Sequence, residues 1–142
     1  MNILVINGPN LNLLGERSAA IYGTKTLKEI EKEMRAAAKG NKIKFFQKNG
    51  EGEIINLIHK HIKWADWMII NPGAYTHYSY AIRDAIEVCK IKTVEVHLSD
   101  ISKREAFRKK SVIKDVCKKQ IKGLKEKSYI KALEFCISNG KK

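Results

Sequence analysis

Short runs of nearly unbroken apolar residues alternate along this chain with segments whose apolar residues return every three or four positions. The first run, Ile3-Leu4-Val5-Ile6, is too short for a helix and has no polar alternation, as in a strand covered on both faces. A helical stretch then opens at Thr26, which forms a capping-box pattern with Glu29 and is followed by Leu27, Ile30 and Met34; Gly40-Asn41 closes it. Residues 43–47 read as a second strand, and 52–62 as a helix with Ile54, Ile55, Ile58 and Ile62 on one side. Residues 67–71 give a third strand, and 78–89 a helix carrying Ala81, Ile82, Ala85, Ile86 and Cys89. A fourth strand is expected at 93–98, then a polar, basic stretch, a weak strand near 117–121 and a last helix from about 128 to 138.

Strands regularly separated by helices specify a parallel sheet with helices on both faces. Five strands predict the flavodoxin-like α/β order 2-1-3-4-5, with the lysine-rich fifth strand at an edge. The 142 residues suffice for one such domain, 1–142, with no repeat or linker. No apolar run approaches the roughly 20 residues that cross a bilayer. The N-terminal apolar run stops at Asn7 without a basic flank, so it reads as a strand rather than a signal peptide and predicts a cytoplasmic protein with no membrane partner. Cys89, Cys117 and Cys136 are odd in number and widely spaced, which fits buried thiols better than disulfides or a zinc site. The net charge of +13 raises nucleic acid as a partner, but the lysines are scattered and no stacking aromatics accompany them. A lysine-rich solvated surface that attracts a small anion is the better reading.

Ligands of open α/β sheets bind at the carboxyl ends of strands, beside the switch in strand order. Here that switch falls between strands one and three. The loop after strand one runs from Asn7 to about Lys25, a length common in lids and binding loops, and contains Asn10, Arg17 and Tyr22. It lacks the glycine patterns of dinucleotide and P-loop phosphate sites, which disfavours an FMN- or nucleotide-binding module. Strand three ends at Asn71, followed by Pro72-Gly73-Ala74-Tyr75-Thr76-His77; strand four carries Glu95-Val96-His97-Leu98-Ser99. Singly, each has an ordinary structural reading: asparagines beside Gly or Pro make turns, a histidine at a strand end is a structural hydrogen-bonder, and a loop tyrosine packs its ring. Their convergence on one rim points to an active site. His77 and His97 could approach one another, but no third ligand has metal-site spacing. Arg17 near Tyr22 is suggestive, because guanidinium charge favours a phenolate, a strong base for a proton α to a carbonyl. The residues alone stop at acid–base chemistry on a small polar anion.

At these loops the sequence closely resembles the type II 3-dehydroquinate dehydratases. The matching segments are 6–15 (Ile-Asn-Gly-Pro-Asn-Leu-Asn-Leu-Leu-Gly), 21–23 (Ile-Tyr-Gly), 70–77 (Ile-Asn-Pro-Gly-Ala-Tyr-Thr-His), 81–85 (Ala-Ile-Arg-Asp-Ala) and 95–99 (Glu-Val-His-Leu-Ser), with Arg104-Glu105, Phe107-Arg108, Gly123-Leu124 and Tyr129 beyond them. The resemblance spans the chain in order. It implies a flavodoxin-like fold and a lyase of the shikimate pathway, the route to chorismate and aromatic amino acids. The reaction would be dehydration of 3-dehydroquinate to 3-dehydroshikimate, by anti elimination through an enolate, without metal, cofactor or Schiff base. It further implies a homo-oligomer, a dodecamer built as a tetramer of trimers.

The roles that the resemblance implies are specific. Tyr22 would be the base, Arg17 would keep it ionised, and Asn10 would position a water against the enolate. His97 would be the general acid, oriented by Glu95. Asn71, His77 and Arg108 would hold substrate hydroxyls, Leu98 and Ser99 the carboxylate, and Asp84 would reach a neighbouring subunit's site. The segment between Gly15 and Tyr22 would be a lid that delivers Arg17. The chain departs from the usual pattern at Gly50-Glu51-Gly52, Tyr78-Ser79, Asp100 to Lys103 and Ser128-Tyr129. None of these departures falls on a proton-transfer residue.

Overall fold

The computed structural model describes residues 1–140; the last two positions of the 1–142 span lie outside the described residues. Strands β1 (Asn2–Asn7), β2 (Lys42–Gln47), β3 (Trp67–Asn71), β4 (Lys92–Val96) and β5 (Lys119–Ile121) pair in parallel in the order β2-β1-β3-β4-β5. This is the flavodoxin-like order expected from the sequence. Helices α2 (Leu27–Ala36), α3 (Glu51–Lys60), α4 (Tyr80–Cys89) and α5 (Lys127–Asn139) cover the two faces.

The period of two along β1 decides which face each residue serves. Ile3 and Val5 pack with Leu27, Ile30 and Met34 of α2 and Tyr129 and Leu133 of α5. Leu4 and Ile6 pack with Ile54 and Ile58 of α3 and Ile82 and Ile86 of α4. Both faces are dry, so β1 and β3 carry almost no polar residue until their ends. Each of these large side chains contributes about 1.5–3 kcal/mol by burial. The edge strand β5 has only three residues and no buried side chain among them, which is why its sequence signal is weak.

Local chemistry sets the boundaries. Thr26 and Glu29 form the expected capping box at α2. Helix α4 starts at Tyr80 rather than Tyr78 because Ser79 Oγ accepts from the Ile82 N–H at 3.1 Å. The fourth strand stops at Val96 rather than Leu98; His97 N–H still donates to the Ile121 carbonyl (2.9 Å), but the chain then turns away. The long loop after β1 is not irregular. It holds a 3-10 turn at Leu11–Leu13 and a single helical turn, α1 (Ala19–Tyr22), too short to leave any periodicity. The basic stretch after β4 forms three more 3-10 turns, Ile101–Lys103, Ala106–Arg108 and Lys114–Val116, pinned by buried Val112 and Ile113. No helix among the described residues is long and apolar enough to cross a membrane.

Candidate active site

The floor of the site is the crevice between β1 and β3. Gly8 N–H donates to the Asn71 carbonyl at 2.7 Å, and a Cβ at Gly8 would lie 2.5 Å from the Pro72 oxygen, so only glycine permits this approach. Below it lie three polar side chains that satisfy one another. Tyr129 donates its hydroxyl to Asn7 Oδ1 (2.6 Å) and accepts from Asn71 Nδ2 (3.0 Å); Asn7 Nδ2 donates to the Phe46 carbonyl (3.2 Å). Asn71 Oδ1 accepts from the Gly73 N–H (3.1 Å). Burial pushes the Tyr129 phenol above its ordinary value, with the Asn71 hydrogen bond opposing. It stays a neutral strut.

Tyr22, at the end of α1, is in a different situation. Arg17 Nη2 donates to its hydroxyl oxygen at 2.6 Å and Arg104 Nη1 at 3.1 Å. The Arg17 guanidinium carbon also lies 3.8 Å from the ring centroid, so it meets both the face and the oxygen of the phenol. Arg104 Nη1 reaches Ser99 Oγ as well, at 3.3 Å, tying the β1 loop to the β4 loop.

On the other side stand Glu95 and His97. Glu95 is fully buried. It accepts from Thr76 Oγ1 (2.6 Å), Ser111 Oγ (2.5 Å), Gln120 Nε2 (2.7 Å) and His97 Nε2 (3.0 Å). Burial pushes its carboxyl up, but the hydrogen bonds and charge of His97, then those of Ser111 and Thr76, outweigh that and hold it below the ordinary range. An ionised Glu95 requires the proton on His97 Nε2. Exchange with a ligand is then left to Nδ1. His77 turns Nδ1 to the Lys110 carbonyl (2.7 Å). Burial lowers its affinity for a second proton; the Lys110 carbonyl opposes this, and nearby His97 and Arg108 reinforce it. Neutral His77 thus donates through Nδ1 and offers Nε2 as an acceptor.

Nine of the sequence-predicted residues, Asn10, Arg17, Tyr22, Asn71, His77, His97, Leu98, Ser99 and Arg108, line one cavity of about 110 Å³. That is well below the roughly 300 Å³ or more of drug-sized pockets and suits a small ring compound rather than a nucleotide. Arg108 Nε lies 2.6 Å from Glu105 Oε2, an ion pair at an angle that makes no hydrogen bond. Glu95 sits behind His97 rather than in the cavity wall. Asp84 is exposed on α4 and does not line the cavity. Among the described residues, no three or more His, Cys, Asp or Glu side chains cluster to hold a metal ion.

A model of the family Dehydroquinase class II matches residues 1–137. The chain belongs to this family. It is similar to the 3-dehydroquinate dehydratase of Thermotoga neapolitana, 50% identical over 137 residues that cover 95% of this chain and 93% of the relative. The 3-dehydroquinate dehydratase of Caldicellulosiruptor bescii is 54% identical over 134 residues, 92% of each chain. The crystal structure of the type II dehydroquinase from Butyrivibrio crossotus superposes with a TM-score of 0.92 at 45% identity, covering 95% of this chain and 96% of that one.

Within this dehydroquinase frame, the geometry adds residues that the sequence reading did not assign to the site. Arg104 is the second cation on Tyr22. Thr76, Ser111 and Gln120 complete the shell of Glu95. Arg104 stands in a basic stretch where one more cation carries no signal. Ser111 and Gln120 lie 16 and 25 positions from Glu95, with no motif linking them to it. Only the fold brings these together.

Proposed function

We propose that this chain dehydrates 3-dehydroquinate to 3-dehydroshikimate in the shikimate pathway, by anti elimination through an enolate. The observation that carries the proposal is the placement of two guanidinium groups on one phenol oxygen, across a small cavity from a histidine backed by an ionised glutamate.

In this reading the Tyr22 phenolate removes the proton at C2, next to the ketone. Arg17 and Arg104 stabilise the charge on the phenolate before it takes the proton. The electrons pass to the carbonyl oxygen as an enolate, where a water held by Asn10 donates to the growing charge. Collapse of the enolate forms the C1–C2 double bond and expels the C1 hydroxyl, which takes a proton from His97 Nδ1 and leaves as water. The substrate loses one hydrogen and one hydroxyl, and no electrons change hands. Glu95 stabilises the cationic form of His97 that this step needs. Asn71, His77 and Arg108 hold the substrate's hydroxyls; Leu98 and Ser99 receive the carboxylate. The segment from Gly15 to Tyr22 acts as a lid that opens for substrate and closes with Arg17 in place. The net charge of +13 draws in the anionic substrate.

The proposal extends to assembly and location: a cytoplasmic homo-dodecamer, a tetramer of trimers, in which Asp84 reaches a neighbouring subunit's site. Its exposure on α4, outside its own cavity, supports that reading. The test is direct. Purified protein mixed with 3-dehydroquinate should produce the ultraviolet absorbance of the conjugated enone, and should do so undiminished after borohydride treatment in the presence of substrate. Absence of product contradicts the activity. Inactivation by borohydride contradicts the mechanism and indicates a lysine adduct.

A further inference from the structure

The pocket-lining loops follow β1, β3 and β4, yet the conformation of Asn10 is fixed from the end of β2. Asn10 has a left-handed backbone (φ 68°), a conformation that L-residues other than glycine rarely adopt and that asparagine tolerates best. It also caps the 3-10 turn at Leu11–Leu13. An asparagine there ordinarily spends its side chain on the cap, but this one makes no side-chain cap hydrogen bond. Its backbone N–H instead donates to Asn49 Oδ1 at 3.1 Å. The carboxamide of Asn10 is therefore left for the cavity, which it lines.

Asn49 is itself held on two sides. Gln47 Nε2 donates to Asn49 Oδ1 (3.0 Å) and to the Gly8 carbonyl (3.1 Å). Tyr75, in the β3 loop that also carries His77, donates its hydroxyl to the Asn49 carbonyl at 2.8 Å. With Gly8 N–H on the Asn71 carbonyl and no N–H on Pro9, every backbone donor from Gly8 to Asn10 has an assigned partner. The order is Tyr75, then Asn49 with Gln47, then Asn10: the β3 loop sets the β1 loop through one side-chain oxygen.

We infer that Asn49 is a positioning residue for Asn10: its amide oxygen holds the left-handed backbone that aims the Asn10 carboxamide at the water facing the developing oxyanion. This rests on the role proposed above for Asn10. What the position needs is an acceptor, so aspartate replaces asparagine in function and alanine does not. Asn49 is exposed and in no core cluster, so its variants are expected to fold.

The test is a steady-state comparison of Asn49→Ala, Asn49→Asp, Asn10→Ala and the double alanine variant, each with a melting curve. Asn49→Ala should lower kcat about tenfold, the value of one misplaced transition-state hydrogen bond, and leave KM and Tm near wild type. Asn49→Asp should recover kcat to within about threefold of wild type, a residual of less than one kcal/mol on the barrier. In the Asn10→Ala background, Asn49→Ala should cost nothing more, since the group it aims is gone. If Asn49→Ala keeps wild-type kcat, if its loss multiplies with that of Asn10→Ala, or if Asn49→Asp is as slow as Asn49→Ala, the positioning role is overturned while that of Asn10 stands. If Asn10→Ala itself turns over normally, the role of Asn10 falls and this inference falls with it.

Discussion

Tyr22 and Tyr129 place the same phenol in opposite surroundings. Tyr129 is buried from solvent and its hydroxyl meets only amides: it donates to Asn7 and accepts from Asn71. Its proton is committed, and burial raises the cost of losing it. Tyr22 is half-buried in the cavity wall, and its oxygen meets two cations, Arg17 and Arg104, both donating to it. A phenol oxygen that accepts from two guanidinium groups is arranged to carry negative charge. The contrast ties the role proposed for each tyrosine, base or strut, to the partners of its oxygen rather than to its depth alone.

The comparison breaks most readily at the base. Tyr22→Phe should lower kcat by about a thousandfold or more, within the range of a lost general base, with an unchanged melting temperature; retention of most of the rate would mean that another group takes the proton. His97→Ala should cost about a hundredfold or more in kcat, because the leaving hydroxyl loses its acid. The two cations should then separate. Arg104 is fixed to both Tyr22 and Ser99, whereas Arg17 belongs to the segment proposed as the lid. Each change to alanine should cost about ten- to a hundredfold in kcat, the scale of a charge-assisted hydrogen bond, and only Arg17→Ala should alter the kinetics of lid closure in stopped flow. Equal effects on closure would contradict that division.

Tyr129→Phe should act the other way round. It leaves Asn7 Oδ1 and Asn71 Nδ2 without their Tyr129 partner and should lower stability by about 1–3 kcal/mol in urea unfolding, with kcat of the folded protein changed far less than by Tyr22→Phe. The smallest effect is expected at Glu95. Its carboxyl lies below the ordinary 4.5 in the folded chain, so the stability it contributes is present above that pH and is lost as pH falls through the folded value. Ser111→Ala removes the hydroxyl that lies 2.5 and 3.0 Å from the two Glu95 carboxylate oxygens, and raises the folded value. Acid unfolding should then begin at higher pH than in the wild type; an unchanged acid midpoint would mean that Ser111 does not help to hold the charge.

The same contrast explains how far the sequence could be read. The sheet was legible because strands dry on both faces leave unmistakable apolar runs, and the switch rule pointed to the ends of β1, β3 and β4. Asn71, Glu95 and His97 stood out there because a polar residue closing an apolar run is conspicuous. Tyr22 was legible only as part of a long loop that also held Arg17. Arg104, Ser111 and Gln120 were not, since their meaning lies in contacts across the sheet edge. Asn49 escaped for a related reason: it belongs to the end of β2, which lines no part of the cavity and acts through the backbone of another loop.

The most direct test of the account separates proton removal from departure of the hydroxyl. In deuterated buffer, a His97→Ala variant should still exchange the substrate's C2 hydrogen for deuterium faster than buffer alone, with little dehydration, because Tyr22 and its two arginines remain. Adding Tyr22→Phe should return the exchange to the buffer rate. Exchange that continues undiminished in the double variant would contradict the assignment of the phenol as the base.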